Sequence, residues 1–513
     1  MGIHEVATRF RRWARAHAPE LCILGAGILV RLSMALLYDA RLGYDFNAHW
    51  PNIRYVAERQ TLPPPDYNTE SCQSPLYYVI AAAMVARGLD AGAVGWLGAL
   101  WGVARLALIW AGLEKWLPES RLARVTALAL AAVLPASAHL DGMITNETLV
   151  MLVSAAVFVA APSAIAAART GGVAPMVGLS LLLALAVMSK VSAFVLLVAI
   201  AGAIGIEIVR AAPPSTWWRA LRARARPLIA GALVLAAVAG PFFVRNKILY
   251  GDLSPTAYEG WLKAENAPYA KIPYFQRRPP GFYLAWNLAI YVHPLYPSAL
   301  KPDARFFPVL LASTFNDYYA FSFSGGGQYN ARRWIPAEAF TMGAMSIMAG
   351  TPIALVTVIA WFAAMRSLWR RKPDGYLGNP GRVPEPSRDG PRRAELAGSP
   401  RGEPDPRFAL LLAPPGALLG ALHFATKYPD DHFGPIKGAY LQFIAPILCA
   451  LFGVGVAWMW RGGRRWRAAA LLAMGALAVV AAYTAQARFP RFGTHAYRGA
   501  PFFQPHAIAP AQK

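Results

Sequence analysis

Eleven apolar runs recur along this chain, and their lengths constrain its fold more than any other feature. They lie at roughly 21–38, 94–113, 125–139, 148–168, 174–189, 191–208, 228–244, 341–363, 408–423, 438–459 and 468–485. A helix needs about 20 residues to cross a bilayer. A chain that is 56% hydrophobic and 15% charged also carries more apolar surface than one water-soluble core could bury. The sequence therefore predicts an all-α, polytopic membrane protein of about eleven transmembrane helices.

The net charge of +23 is concentrated in clusters of Lys and Arg. A balance this basic could signal nucleic-acid binding. The clusters, however, precede the first, seventh and last spans, or lie between the second and third and between the eighth and ninth. With a cytoplasmic N-terminus they all fall on the cytoplasmic side, as the positive-inside bias requires. We therefore attribute the charge to topology and to contacts with membrane lipids, and expect no nucleic-acid partner.

This topology divides the chain into segments. They are a cytoplasmic basic tail (1–20), a transmembrane core with catalytic outer loops (21–255), a large outer loop that is a candidate lid (256–340), a transmembrane helix (341–365), a cytoplasmic disordered linker (366–407), C-terminal transmembrane helices (408–485) and an outer tail (486–513). Within the long first outer loop, the apolar stretch from Pro75 to Leu89 is too short to span. It predicts a helix that lies in the membrane interface.

An acid and a histidine stand four residues apart just beyond the first span, in the tract Tyr-Asp-Phe-Asn-Ala-His-Trp at 44–50. Asp45 should lie near the membrane surface, where a carboxylate can accept the proton of an attacking hydroxyl. The plainer alternative is a solvated loop acid. His49 shares a face with Asp45 if the tract is helical, so the two could orient each other or hold a divalent metal. Such a histidine more often hydrogen-bonds a loop carbonyl.

A second group of acids belongs to the short second outer loop. Asp141 heads this loop, and Glu147 opens the fourth span. Topology places both on the same side as Asp45, where a second acid could bind a metal or sugar hydroxyls. Asn146 and Glu147 could instead cap the start of the helix. We favour the cap for Glu147 and leave both interpretations open for Asp141.

Basic residues at the spans have alternative interpretations as well. Lys190, at an outer helical hairpin, and Arg245, after the seventh span, could each bind a lipid phosphate or extend to the interface by snorkelling. Arg31 and Arg105 lie inside apolar runs, where a charge costs about 2.5–3.5 kcal/mol. They could meet a phosphate or a buried acid. Because the sequence carries no Gly-rich phosphate loop, zinc pattern or nucleophile elbow, a lipid-borne donor is favoured over a nucleotide.

Several short motifs also occur in a characteristic order. They are Tyr-Asp-x-x-x-His at 44–49, Ser-Pro-Leu-Tyr-Tyr at 74–78, Thr-Asn-Glu-Thr-Leu at 145–149, Ser-Lys-Val-Ser at 189–192, Arg-Asn-Lys-Ile-Leu-Tyr-Gly-Asp at 245–252 and, more weakly, Lys-Gly-Ala-Tyr-Leu at 437–441. Over roughly residues 20–255 the pattern resembles the polytopic C-class glycosyltransferases, in particular bacterial relatives of protein O-mannosyltransferase and of the lipid A aminoarabinose transferase. The chain has Phe46 where relatives often have glutamate, and Ala439 where they tend to have arginine.

The resemblance implies transfer of a monosaccharide, with inversion, from a polyprenyl-phosphate donor to a hydroxyl acceptor on a glycan, lipid or protein. It also implies a multi-pass protein of the bacterial inner membrane with its active site on the periplasmic face. The alternative function is a transporter or flippase for a lipid-linked saccharide.

The resemblance assigns roles to individual residues. Asp45 matches the family's general base, and Asp141 matches a second-loop acid that contacts metal or substrate. The candidate substrate-binding residues are His49, Asp141, Lys190, Arg245 and Tyr77. Asp141 and His49 are also the candidate ligands of a divalent metal, and no other cofactor is expected.

Overall fold

The computed structural model describes residues 3–38, 40–42, 45–68, 70–210, 214–255, 272–286, 288, 291, 305–316, 337–370, 407–427 and 438–485. Regular structure within these ranges is helical, without a strand. Eight of the described helices are long and apolar enough to cross a bilayer. Each apolar run of the sequence lies largely within a helix. The protein is therefore an all-α polytopic membrane protein, which confirms the predicted fold class.

Up to residue 250 the described chain forms α1 (Ile3–Ala16), α2 (Ala18–Leu37), α3 (Phe46–Arg59), α4 (Leu76–Val85), α5 (Ala91–Trp116), α6 (Arg121–Val133), α7 (Pro135–Leu140), α8 (Glu147–Thr170), α9 (Val173–Ser189), α10 (Phe194–Arg210), α11 (Trp217–Ala223) and α12 (Ala225–Tyr250). Local sequence sets several of their ends. The side chains of Asp90 and Ser120 accept a backbone N–H at the start of α5 and α6. Gly171 and Gly251 end α8 and α12 with the positive φ that favours glycine.

The second half contains α13 (Pro280–Leu284), α14 (Phe306–Phe315), α15 (Ala337–Arg370), α16 (Arg407–Lys427), α17 (Ala445–Arg461) and α18 (Arg464–Ala485). A 3₁₀ segment, Gly438–Ile444, leads directly into α17. The predicted outer tail (486–513), most of the cytoplasmic linker (366–407) and much of the candidate lid (256–340) lie outside the described residues.

Contacts between segments that are far apart in sequence define two ends of the helical bundle. One end, which we call the loop end, holds the connections between α2 and α5 and between α7 and α8, together with Lys190. There the hydroxyl of Ser74 donates to the carbonyl of Val187 at 2.6 Å. The other end, the basic end, holds the connections between α5 and α6 and between α17 and α18. There Arg121 pairs with Glu20 at 3.1 Å.

Two helices depart from a simple crossing segment. The ten residues of α4 are too few to span, as the sequence predicted for this stretch. The apolar run at 125–139 is divided between α6 and α7, because Leu134 adopts an extended ψ of 114° before Pro135. The short helix α7 then carries the chain to Asp141 at the loop end.

Glycines set some of the closest helix contacts. A Cβ at Gly453 of α17 would collide with the carbonyl oxygen of Ala123 of α6. A Cβ at Gly112 of α5 would likewise collide with the ring of Phe158 of α8. Membrane helices gain much of their association energy from such close packing of small residues, because lipid offers no hydrophobic drive between helices. The part of the bundle towards the basic end is therefore tightly packed.

Candidate active site

Asp45 stands at the start of α3 and adopts a left-handed backbone, with φ of 57°. Its side chain is half-buried, and its carbonyl accepts the backbone N–H of His49 at 2.8 Å. His49 and Asn52 are three residues apart and follow one face of α3. Asp45 stands before the helix with a left-handed backbone, so the shared face predicted for Asp45 and His49 in a helical tract stays a prediction.

The imidazole of His49 is buried and joins α3 to α4. Its Nδ1 lies 2.8 Å from the hydroxyl of Tyr78, and the ring of Tyr77 meets it edge-on with 6.3 Å between centroids. Burial raises the pKa of both phenols. They therefore stay neutral and keep their hydroxyl protons available for hydrogen bonds. A backbone hydrogen bond connects the hydroxyl of Tyr77 to Thr145, so α4 also contacts the second loop.

The two loops are tied together at a second point. Asn146 Nδ2 donates to Gln73 Oε1 at 3.4 Å, next to the bond from Ser74 to Val187 of α9. Segments separated by more than 100 residues in sequence therefore meet at the loop end.

Glu147, at the start of α8, forms an ion pair with Lys190, at the end of α9. The side chain of Glu147 is buried, and the side chain of Lys190 is 12% exposed. The ammonium also lies 5.3 Å from the ring centre of Tyr440. Burial alone would lower the pKa of Lys190, but the charge of Glu147 and its hydrogen bond raise it above the ordinary value of 10.5. Glu147 does not use its side chain to cap α8, and Asn146, which precedes the helix, makes no capping bond either.

Arg245 lies at the loop end of α12, beside the first loop. It lines a cleft that also includes Asn52, Gln73 and Tyr78. Its guanidinium carbon sits 5.7 Å from the ring centre of Tyr250. A cation and several amide and hydroxyl groups thus face the same cleft.

Asp141 occupies a different position from the other candidates. It is completely buried, and its Oδ2 lies 2.9 Å from Arg31 Nε and 2.7 Å from Arg105 Nη2. Arg31 also donates to the carbonyl of Ala132 in α6 at 2.8 Å. Of the two partners left open for these intramembrane arginines, the structure selects the buried acid. We call Asp141, Arg31 and Arg105 the buried triad.

A Cβ at Gly102 of α5 would collide with Oδ2 of Asp141. The glycine therefore makes room for the carboxylate between α2 and α5. Because Asp141 directly follows α7, the buried triad joins the spans α2 and α5 to the loop that leads to Glu147.

The candidate metal ligands do not form a complete donor set. Among the residues that the structure describes, no three His, Cys, Asp or Glu side chains gather in a way that could hold an ion. Oδ2 of Asp141 already receives two guanidinium groups, and Nδ1 of His49 faces a phenol. A metal at Asp141 or His49 remains a prediction, as does a direct contact of Asp141 with substrate.

No protein-family model and no curated protein matches the sequence. Among solved structures, the chain is similar to the crystal structure of ArnT from Cupriavidus metallidurans bound to undecaprenyl phosphate. The two sequences are 13% identical, and the alignment covers 86% of this chain and 79% of that chain with a TM-score of 0.34. Functional conclusions therefore rest on the residues of this chain.

Proposed function

We propose that the protein is a membrane glycosyltransferase. It moves a monosaccharide from a polyprenyl-phosphate donor to a hydroxyl acceptor at the outer face of the membrane, which the loop end occupies. One observation carries the proposal: segments around Asp45, Tyr78, Lys190 and Arg245, far apart in sequence, meet at the end of the bundle that is opposite the arginine clusters. A lipid phosphate in the bilayer can reach such a place, and a sugar beyond it can meet a water-soluble acceptor.

Asp45 acts as the general base in this proposal. The acceptor oxygen forms a bond to the anomeric carbon while the bond from that carbon to the phosphate oxygen breaks on the opposite side, so the configuration inverts. The acceptor proton passes to the carboxylate of Asp45, a step worth roughly 10²- to 10⁴-fold. His49 holds α3 against α4 through Tyr78 and so positions the helix that Asp45 begins.

Arg245 and Lys190 compensate the charge of the departing phosphate. The guanidinium of Arg245 faces a cleft beside the first loop, and the raised pKa of Lys190 keeps its ammonium charged at neutral pH. Fixed charges aimed at a developing anion are often the largest catalytic contribution of an enzyme site. The pairing of Lys190 with Glu147 leaves Arg245 as the cation with the larger share of this role.

Asp45→Asn tests the proposal. Purified protein carrying this change should retain polyprenyl phosphate, measured by native mass spectrometry, while cells expressing it lose the sugar-modified envelope product, measured by mass spectrometry of surface glycans. The matched control is Asp66→Asn, which changes an exposed acid of the same loop and should keep full activity. A transporter or flippase would tolerate both changes equally, and that outcome would refute the proposed reaction.

A further inference from the structure

The N-terminal helix α1 has two chemically distinct faces. At about 100° per residue, Val6, Phe10 and Trp13 share one side of the helix. These side chains are 48%, 63% and 42% exposed. Arg11, Arg12 and Arg15 lie on the opposite side, and Arg9 lies at the boundary, where it pairs with Glu5 at 2.7 Å. A helix this amphipathic needs an apolar cover for one face and water or anions for the other.

The contacts of α1 show which way its apolar side faces. The helix ends at Ala16, and the span α2 begins at Ala18. Trp13 packs against Trp110 of α5 with 6.0 Å between ring centroids, and His17 lies 3.9 Å from Glu114. These contacts hold the apolar side of α1 towards the spans, at the basic end of the bundle.

Exposed tryptophans also lie on α11 and where α17 meets α18. Trp217 and Trp218 of α11 are exposed, and Arg222 stacks on Trp218 with 5.4 Å to the ring centre. Trp458 and Trp466, where α17 meets α18, are exposed as well. Tryptophan with a polar ring edge and an apolar body is enriched where a bilayer meets water. These exposed tryptophans support a membrane interface at the basic end.

We propose that α1 lies in the membrane interface and binds anionic phospholipids. Val6, Phe10 and Trp13 enter the boundary between headgroups and acyl chains, while the arginines contact phosphate groups of negatively charged lipids. Charge complementarity favours anionic lipid over a second copy of the protein, because two α1 helices would bring arginine against arginine. The inference is independent of the proposed sugar transfer.

A depth measurement tests the placement. The full-length protein, with Cys22, Cys72 and Cys449 replaced by alanine, receives a single nitroxide label at Val6→Cys or, as the matched control, at Thr8→Cys on the opposite side of α1. It is reconstituted in vesicles of phosphatidylcholine with phosphatidylglycerol. The ratio of oxygen to nickel-chelate accessibility should be several-fold higher at position 6 than at position 8. Equal ratios, or protection of both labels from both reagents by a protein contact, would overturn the proposal.

A charge measurement tests the lipid class. The label at position 6 should lie deeper in vesicles with phosphatidylglycerol than in phosphatidylcholine alone, since each arginine near an anionic surface is worth on the order of fivefold in affinity. Arg11→Gln/Arg12→Gln/Arg15→Gln should abolish this difference. The control Arg54→Gln, an exposed arginine of α3, should leave it intact. A difference that persists in the triple variant would contradict binding through these arginines.

Discussion

Asp141→Asn is expected to destabilise the protein strongly through the buried triad. The change keeps the size of the side chain but removes the charge that faces Arg31 and Arg105, whose nitrogens lie 2.9 and 2.7 Å from Oδ2. Both guanidinium groups are almost fully buried, so water cannot replace the lost partner. Removing one member of a buried ion pair typically costs about 3–5 kcal/mol, because the remaining charge is left uncompensated. Two such charges remain here, which places the expected loss at the upper end of that range.

Unfolding by sodium dodecyl sulfate in mixed micelles, followed by tryptophan fluorescence, measures this loss as a shift in midpoint. Asp90→Asn is the matched control, since an asparagine at this exposed helix start caps as well as aspartate and should cost almost nothing. A triple variant, Arg31→Met/Asp141→Leu/Arg105→Met, should regain most of the stability, because no buried charge is left unpaired. If Asp141→Asn unfolds with the control, or if the triple variant is less stable than the single one, the interpretation of the buried triad as a structural ion network is wrong.

Two further predictions concern the ion pair and the helix packing. In Glu147→Gln, burial without the opposing charge should lower the pKa of Lys190 below 10.5, so that charging this lysine opposes folding at neutral pH. The loss of thermal stability relative to wild type should therefore shrink as the pH rises towards 10.5. A loss that stays constant with pH would contradict this prediction. Gly453→Ala should cost about 1–3 kcal/mol by overpacking against Ala123, whereas Gly475→Ala, which meets nothing within 4 Å, should be neutral in the same unfolding assay.

The long apolar helices and the short helix α4 could be predicted because they depend on length and hydropathy alone. A segment of twenty apolar residues has few alternatives to a membrane helix, and ten residues from Leu76 to Val85 cannot cross. The break at Leu134 was predictable in principle from the following proline. These features depend on residues that are close in sequence, so one amino-acid sequence is sufficient to predict them.

The ion pair of Glu147 with Lys190 could also have been found, although the sequence argument assigned Glu147 to a cap. Since α8 and α9 are antiparallel neighbours with a short connection, the start of one must lie beside the end of the other. The partners of Asp141 could not be found in this way. Whether Arg31 and Arg105 point at an acid, at lipid or at each other depends on the rotation of α2 and α5 about their axes, which the packing of the whole bundle sets.

Adjacent residues of the first loop, Gln73 and Ser74, are attached to different helices, one through Asn146 before α8 and the other through Val187 in α9. A bilayer of unsuitable thickness changes the tilt of individual spans, and any relative sliding of α8 and α9 would strain this double attachment. One turn away in α4, the hydroxyl of Tyr78 would pass that strain to His49. A change in the thickness of the surrounding lipid would thereby reach the helix that follows Asp45.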